Sequence, residues 1–318
     1  MKGLKKIALA TAVAAAPFAA HAELQAMDDT AMGAVTGQSG VTIELETRVS
    51  IGEFTYKDEG TFAVSDIVIG GAATSDSASA DGYIQSGATG NDGRLLDDLK
   101  IDIDIADDGD AIIHVGSLQE DGNGDAVPID WGMTAGAMEL RGNGGQNTVL
   151  VSNLDAWGLL GALDIRVDTD DVGGQAGTGT LNLDAAFTVQ EMSFDADFLA
   201  LGIKEMSIKS SEAGGEVLGQ DGLVAILAED PSAPTAEELR KVGLAQKGFA
   251  IAGISVYKGN GLADSTSSLA KTDVLRVDVD DVLMDVNIGQ TIIGGANIGT
   301  IGIDNLHISE TSLAVYGH

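Results

Sequence analysis

The stretch Leu96-Asp-Asp-Leu-Lys-Ile-Asp-Ile-Asp-Ile105 contains the pattern that decides the fold. From Leu99 onward apolar residues alternate with charged ones, and a period of two is typical of a β-strand with one buried face. The same alternation is found over residues 41–51 and 282–288. The 43 glycines of the 318-residue chain supply many short turns. The sequence therefore predicts an all-β fold: an elongated, curved, mostly antiparallel sheet or sandwich.

A short pattern recurs along the chain: an apolar residue, two polar residues, an apolar residue, any residue, and an apolar residue. Its seven copies begin at Val64, Leu96, Val151, Val189, Ile203, Val279 and Ile303. The second polar residue interrupts strict alternation, which predicts a β-bulge or bend that returns the next apolar residue to the same face. The unequal spacing of the copies argues against a solenoid of fixed rungs.

The repeat also predicts which side chains are buried. Its apolar members should face a shared interior, while Lys100 and His307 should point outward. The members expected to be buried include Leu99, Ile101, Val282, Met284, Leu306 and Ile308.

Two segments depart from the strand pattern. Residues 71–93 are small and polar with almost no apolar anchors, which predicts a long surface loop. Residues 212–247 contain Thr235-Ala-Glu-Glu238, a capping-box pattern before the run Leu239 to Lys247. We therefore expect a helical insertion between strands over 212–247.

The N-terminus has the three parts of a secretory signal. Lys2, Lys5 and Lys6 precede an apolar run over 7–16, and Ala20-His-Ala22 places small residues at a cleavage site. The apolar run is too short for a membrane-spanning helix. We predict a signal peptide over 1–22, a single β-rich domain over 23–318 that is not transmembrane, and export to the periplasm, outer surface or medium.

The charge of the chain and the absence of several motifs argue against nucleic-acid binding and catalysis. The chain has 17 basic and 49 acidic residues, a net charge of −32, and such a charge repels nucleic-acid phosphates. It has no cysteine and therefore no disulfides. No zinc-ligand spacing, Gly-x-Ser-x-Gly nucleophile motif or phosphate-binding glycine loop occurs. These observations predict a protein that is not an enzyme and has no bound cofactor.

One acidic loop has a pattern that suits a hard cation. Asp121, Asn123 and Asp125 place oxygen-bearing side chains at alternate positions of a glycine-rich segment, and Asp130 is close enough in sequence to contribute. Calcium is bound by such oxygen sets, although Gly132 stands where a bidentate Glu would be expected. A polar hairpin turn gives the same composition. The predicted metal ligands are Asp121, Asn123, Asp125 and Asp130.

The segment after the signal carries the most specific motif. Leu24, Met27, Met32 and Val35 could form one apolar stripe, which predicts a short N-terminal helix ending near Gly37. The elements Met27, Asp28-Asp29, Met32 and Val35-Thr-Gly-Gln-Ser-Gly40 resemble a secreted gammaproteobacterial family of unknown function, some members of which are labelled pilus-system proteins of the FilF type. The resemblance implies a surface or fimbria-associated role.

Three functions are compatible with these features, and the third of them is a calcium-stabilised extracellular module. The first is a non-enzymatic exported structural protein of the cell surface, matrix or a pilus-like system. Its partners would be other cell-surface or pilus-system proteins, or further copies of itself. The alternative is an extracytoplasmic binding module that holds a lipid or another hydrophobic ligand on a curved β-sheet. An accessible apolar groove would favour binding, and exposed strand edges would favour assembly.

Overall fold

In a computed structural model, residues 40–72, 95–122, 124–170, 178–210, 219–228, 232–263 and 266–317 are described. These residues form one 12-stranded sheet in which every strand pair is antiparallel, which confirms the all-β prediction. The arrangement is a single sheet rather than a sandwich. The predicted signal peptide, the N-terminal helix, Asn123 and most of the predicted loop 71–93 lie outside the described residues.

Strand lengths differ widely along the chain. The strands are β1 Val41–Thr47, β2 Val49–Lys57, β3 Thr61–Gly70, β4 Leu96–Ile105, β5 Ala111–Ser117, β6 Ile129–Arg141, β7 Asn147–Asp168, β8 Thr180–Ala196, β9 Leu201–Lys209, β10 Ala250–Gly259, β11 Val274–Ile293 and β12 Ala296–Val315. The helices are α1 Gly219–Leu227 and α2 Ala236–Gln246, and both lie in the predicted insertion 212–247. A short 3-10 turn, Asp197–Leu199, precedes β9.

The strands line up in eight rows. Strands β7, β8, β11 and β12 each form a whole row, whereas shorter strands share a row end to end. The order across the sheet is β1 with β2, β4 with β3, β5 with β6, β7, β8, β10 with β9, β11, and β12. We call β1 and β2 the N-terminal edge and β12 the C-terminal edge. The helical insertion leaves the sheet between β9 and β10, in the middle of a row.

Two adjacent lines of residues cross all eight rows and show the difference between the faces. One line is polar apart from a glycine: Thr42, Asp102, His114, Asp164, Asp184, Gly253, Asp281 and Ser309. The next line is apolar throughout: Ile43, Ile101, Val115, Leu163, Ala185, Ala252, Val282 and Ile308. We call the face of the first line the helix face, because α2 contacts it, and the face of the second line the apolar face.

The sequence repeat corresponds to a backbone bend. In five of its seven copies the second polar residue has a positive φ, between 53° and 56°, and these residues are Asp66, Asp98, Asn153, Glu205 and Asn305. A residue in the left-handed conformation bends the strand and turns the next apolar side chain back to the same face of the sheet. The register between β11 and β12 shifts at the copy that contains Asn305. The bend predicted from the repeat is thereby confirmed.

One glycine makes room for such a bend on the neighbouring strand. Gly289 of β11 lies opposite Glu205, and a Cβ atom at position 289 would lie 2.7 Å from Glu205 Oε2 and 2.8 Å from its Cβ. Contacts this short do not occur between real side chains, so any other residue at 289 would displace the bend. A bend in one strand therefore requires a small residue beside it.

The helical insertion forms a second layer over the centre of the sheet. Thr235 caps α2: its hydroxyl accepts a hydrogen bond from the backbone N–H of Glu238, whose side chain accepts one from Thr235 N–H. This confirms the predicted capping box. The apolar contact between helices and sheet consists of Leu159, Ala186, Leu223, Leu227, Val242, Ala245, Phe249, Ile251 and Leu283.

The prediction of buried residues is only partly correct. Leu99 is buried, in a cluster with Val115 and Ile129. However, the other repeat members named above, Ile101, Val282, Met284, Leu306 and Ile308, are only half-buried. The reason is that the helices cover the opposite face, so that Leu283 rather than Val282 or Met284 is enclosed on β11. Lys100 is half-buried and His307 is exposed.

Candidate functional site

The helix face carries a row of ion pairs that hold the insertion on the sheet. Arg240 of α2 pairs with Asp164 of β7, and the next residue, Lys241, pairs with Asp184 of β8 at 2.5 Å. Asp164 and Asp184 are themselves opposite each other in the polar line. Two consecutive cations on one helix thus contact two consecutive carboxylates across two strands, which fixes the position of α2 over the sheet.

The polar line continues on both sides of these pairs. Nδ1 of His114 lies 2.6 Å from Asp164 Oδ1, as expected for a strand histidine engaged in a hydrogen bond. At the N-terminal edge, Thr42 donates a hydrogen bond of 2.6 Å to Asp102. Near the C-terminal edge, His307 Nε2 lies 3.6 Å from Asp281 Oδ1. The line therefore has polar contacts at several points between the two edges.

Two carboxylates of the polar line have shifted acidities. Burial raises the pKa of Asp164, but the hydrogen bond from His114 and the charge of Arg240 outweigh it, so that the net pKa lies below its ordinary value. For Asp281, burial is the larger effect and raises the pKa despite contacts with His307 and Lys241. The surroundings of Asp164 therefore favour its charged form, whereas those of Asp281 disfavour its charged form.

A polar cleft of about 1030 Å³ lies between the helices and the helix face. Its walls include Asp164, Asp184 and Arg240 from the ion pairs, and Asp278 and Asp280 from β11. Tyr257 donates a hydrogen bond of 2.7 Å to Asp278. Asp164, Asp184, Arg240 and Asp278 thus make contacts that dock α2 or join neighbouring strands.

The predicted cation loop is a hairpin turn in the described residues. Asp121 Oδ1 accepts a hydrogen bond of 2.9 Å from Asp125 N–H, and the carboxylate of Asp125 lies 3.0 Å from Lys247 Nζ. Asp130 accepts a hydrogen bond of 2.7 Å from the backbone N–H of Ala72. No cluster of three or more acidic, histidine or cysteine residues suited to a metal ion occurs among the described residues, which do not include Asn123. Calcium binding stays a prediction.

Of the two tryptophans, Trp157 is buried, as expected for a core residue, and packs against Ala72. Its indole nitrogen has no hydrogen-bond partner among the described residues. Trp131 is half-buried beside Gly158.

Among the residues that the structure describes, no strand pairs with the outer side of either edge of the sheet. Within the described residues, β1 and β2 pair only with β4 and β3, and β12 pairs only with β11. Large apolar side chains are exposed along both edges: Val41, Ile43, Leu45, Val49, Ile51, Phe54 and Tyr56 on the N-terminal edge, and Ile298, Ile301, Ile303, Leu313 and Val315 on the C-terminal edge. Each edge thus offers unpaired backbone groups together with apolar surface.

The edge strands lack proline and have almost no basic residues, two features that keep sheets apart. Charged side chains, above all lysine, and prolines normally prevent edge strands from pairing with another chain. Neither edge contains proline, β12 contains no lysine or arginine, and Lys57 is the last residue of β2. The charged residues within the edge strands are otherwise acidic: Glu44, Glu46, Glu53, Asp304 and Glu310. The bulge near Asn305 is the main irregularity of β12. The two edges are therefore the part of the described structure best suited to contact another chain.

The apolar face is a second exposed surface. Ile101, Leu163 and Val282 in its central line are only half-buried. They are not fully buried because the helices cover the other face of the sheet. Near β4 and β5, part of this face consists of a buried cluster of Leu99, Val115 and Ile129. This surface is apolar enough to contact a hydrophobic ligand.

Sequence comparison finds a similarity over the N-terminal third of the chain. The first 107 residues match DUF6160, a family of unknown function. The matched segment includes β1 to β4, so the DUF6160 match covers the whole N-terminal edge and the row beside it. No curated protein and no protein of known structure matches the chain. None of the helices in the described ranges is long and apolar enough to cross a membrane.

Sequence reasoning missed the features that now define the site. Arg240 and Lys241 were part of a predicted helix, but nothing in their spacing indicated Asp164 and Asp184 as partners. The free edges were also not visible, because alternation predicts strands without their order in the sheet. The absence of proline, lysine and arginine from residues 296–315 was the one available signal.

Proposed function

We propose that this chain is a non-enzymatic exported structural protein of the cell surface, matrix or a pilus-like system, and that it works by assembling through the edges of its sheet. The observation that carries the proposal is that both edges of the sheet, β1 with β2 on one side and the 20-residue β12 on the other, are exposed and unpaired in the described part of the chain. The predicted signal peptide and the resemblance to FilF-type pilus-system proteins support the same location and role.

The helix face supports a structural role rather than catalysis. Its charged residues form ion pairs between α2 and the sheet, and these contacts fix a scaffold. The net charge of −32 opposes contact between copies at low ionic strength. Assembly should therefore strengthen with salt, because screening shortens the range of the repulsion between copies.

The proposal is tested on the chain purified from the extracytoplasmic fraction of the producing cell. Sedimentation velocity at increasing protein and salt concentration should show species larger than one chain, and electron microscopy should show ordered assemblies. A chain that remains monomeric under all these conditions would overturn the proposal.

Substitutions at the edge make this test specific. Val49→Lys places a charge on the N-terminal edge, at a side chain that is 40% exposed, and should reduce the assembled fraction without unfolding the chain. Leu269→Lys is the matched control: Leu269 is 70% exposed but lies between β10 and β11, away from both edges. If both variants assemble equally well, the N-terminal edge is not the contact surface.

The apolar face favours a second candidate, a binding module for a lipid or another hydrophobic ligand. Its half-exposed line of aliphatic side chains is the observation that supports it. Solvent extraction of the purified protein followed by mass spectrometry should then release a stoichiometric amount of lipid. A lipid-free extract, together with no binding of a fluorescent fatty acid, would exclude this candidate.

A further inference from the structure

We propose that assembly is head to tail: the C-terminal edge of one copy pairs with the N-terminal edge of the next, antiparallel, with Ser309 opposite Thr42. This inference rests on the proposed function, since it specifies the contact through which copies associate. The occupant of each free edge is thus the other edge of a second copy.

The direction of the strands permits this contact. All pairs in the sheet are antiparallel, so strand direction alternates from row to row. With eight rows, the first row and the last row run in opposite directions. A second copy placed beside β12 with the same face upward therefore presents β1 and β2 antiparallel to β12. The pattern within one copy simply continues into the next.

The register follows from the lines that cross the sheet. Thr42 and Ser309 are the two ends of the polar line, and Ile43 and Ile308 are the two ends of the apolar line. If both lines continue between copies, the facing pairs over this segment are Thr42 with Ser309, Ile43 with Ile308, Glu44 with His307, and Leu45 with Leu306.

These pairs are chemically matched on both faces. On the apolar face, Ile43 meets an isoleucine and Leu45 meets a leucine, which buries aliphatic surface that is exposed in one copy. On the helix face, two hydroxyl groups face each other, and a glutamate faces His307. Opposite or hydrogen-bonding pairs across antiparallel strands stabilise a sheet, whereas like charges destabilise it. None of these four pairs brings two like charges together.

The other half of the sheet gives nearly the same register independently. A third line crosses all eight rows and is apolar throughout: Val49, Ile69, Met133, Ala156, Met192, Met206, Ile288 and Ile301. Its continuation places Val49 opposite Ile301. Between this pair and Leu45 with Leu306, the C-terminal edge has one residue more than the N-terminal edge. The bulge at Asn305 accommodates that extra residue.

The contact is heterologous, because two different edges meet. Each added copy leaves one edge of each kind free, so such contacts generate open filaments unless the rotation between copies closes a ring. A filament built in this way suits the proposed surface or pilus-like role.

Disulfide trapping tests the register directly, because the chain has no cysteine of its own. In an antiparallel pair, facing Cα atoms lie about 4.5–5.5 Å apart, a distance that a disulfide can bridge. The double variant Thr42→Cys with Ser309→Cys, oxidised in about 0.15 M salt where screening is strong, should give a ladder of cross-linked dimers and higher multimers on non-reducing gels.

Matched variants control for chance encounters. Replacing Ser309→Cys with Ser312→Cys moves the thiol three residues, or about 10 Å, along β12, and should reduce the ladder at least tenfold. Mixing the two single variants Thr42→Cys and Ser309→Cys should give a mixed dimer and little of either homodimer.

The outcomes separate this inference from the proposed function. Assemblies that cross-link only as Ser309→Cys homodimers would overturn head-to-tail pairing while leaving a structural role intact. A cross-link within a single chain would show that the two edges meet in one copy, which overturns the inference. A chain that neither assembles nor cross-links would overturn both.

Discussion

Leu283 and Met284 are neighbours on β11 whose side chains lie on opposite faces of the sheet, and truncating each in turn tests where the protein has its core. Leu283 is 1% exposed and packs between the sheet and the helical insertion. Met284 is half-buried on the apolar face, with no layer over it in the described part of the chain.

The magnitudes follow from this difference. Replacing an enclosed leucine by alanine costs about 3–5 kcal/mol, because the lost transfer energy is increased by the cavity that remains. We expect Leu283→Ala to lower the free energy of unfolding by about 3 kcal/mol, since the helices can partly close over the gap. Met284→Ala should cost about 1 kcal/mol, because half of its surface is already in water.

Thermal and urea unfolding of dilute protein, followed by circular dichroism, measure both effects without a contribution from assembly. A loss of about 3 kcal/mol corresponds to a fall in Tm of roughly 6–12 °C, against roughly 2–4 °C for Met284→Ala. Equal losses, or a larger loss for Met284→Ala, would refute the assignment of the helix face as the enclosed one.

Three further predictions concern export, pH and cations. Mass spectrometry of the exported protein should show an N-terminus at Glu23, and an intact segment 1–22 would contradict the predicted signal. The carboxylate of Asp164 has a lowered pKa, so the stability it contributes is present above the unfolded pKa of about 3.9 and is lost as pH falls through the lower folded value. Asp164→Asn should accordingly cost about 1–3 kcal/mol near neutral pH and much less near pH 2 by urea unfolding, and a pH-independent cost would argue against an ionic role. For the predicted cation loop, Asp121→Ala combined with Asp125→Ala should abolish a saturable part of the calcium-dependent rise in Tm. A response equal to that of the unchanged chain would show that the loop is a turn without a cation site.

Local features of the fold could be predicted from the sequence because they depend on neighbouring residues. Alternation near Ile101 predicts a strand, and the capping box at Thr235 predicts the start of α2. The repeat gave the bends, since aspartate and asparagine adopt the left-handed conformation more readily than most residues. Asp66, Asn153 and Asn305 show this conformation.

Features that depend on distant parts of the chain could not be predicted in this way. A period of two separates two faces but does not say which face is covered, so Met284 was expected to be buried in place of Leu283. The ion pair between Lys241 and Asp184 joins residues from separate strands and helices, and no local pattern indicates it. The match between the two edges can be recognised only when the pairing register of every strand between them is known.

Hydrogen exchange at the edge strands is the most direct measurement of the central claim, that free edges of one sheet join copies of this chain. Amide exchange measured by mass spectrometry should slow in β1, β2 and β12 together as protein concentration rises, while β7 and β8 in the middle of the sheet stay unchanged. Protection that appears at one edge alone, or at neither edge while larger species form, would contradict edge-to-edge assembly.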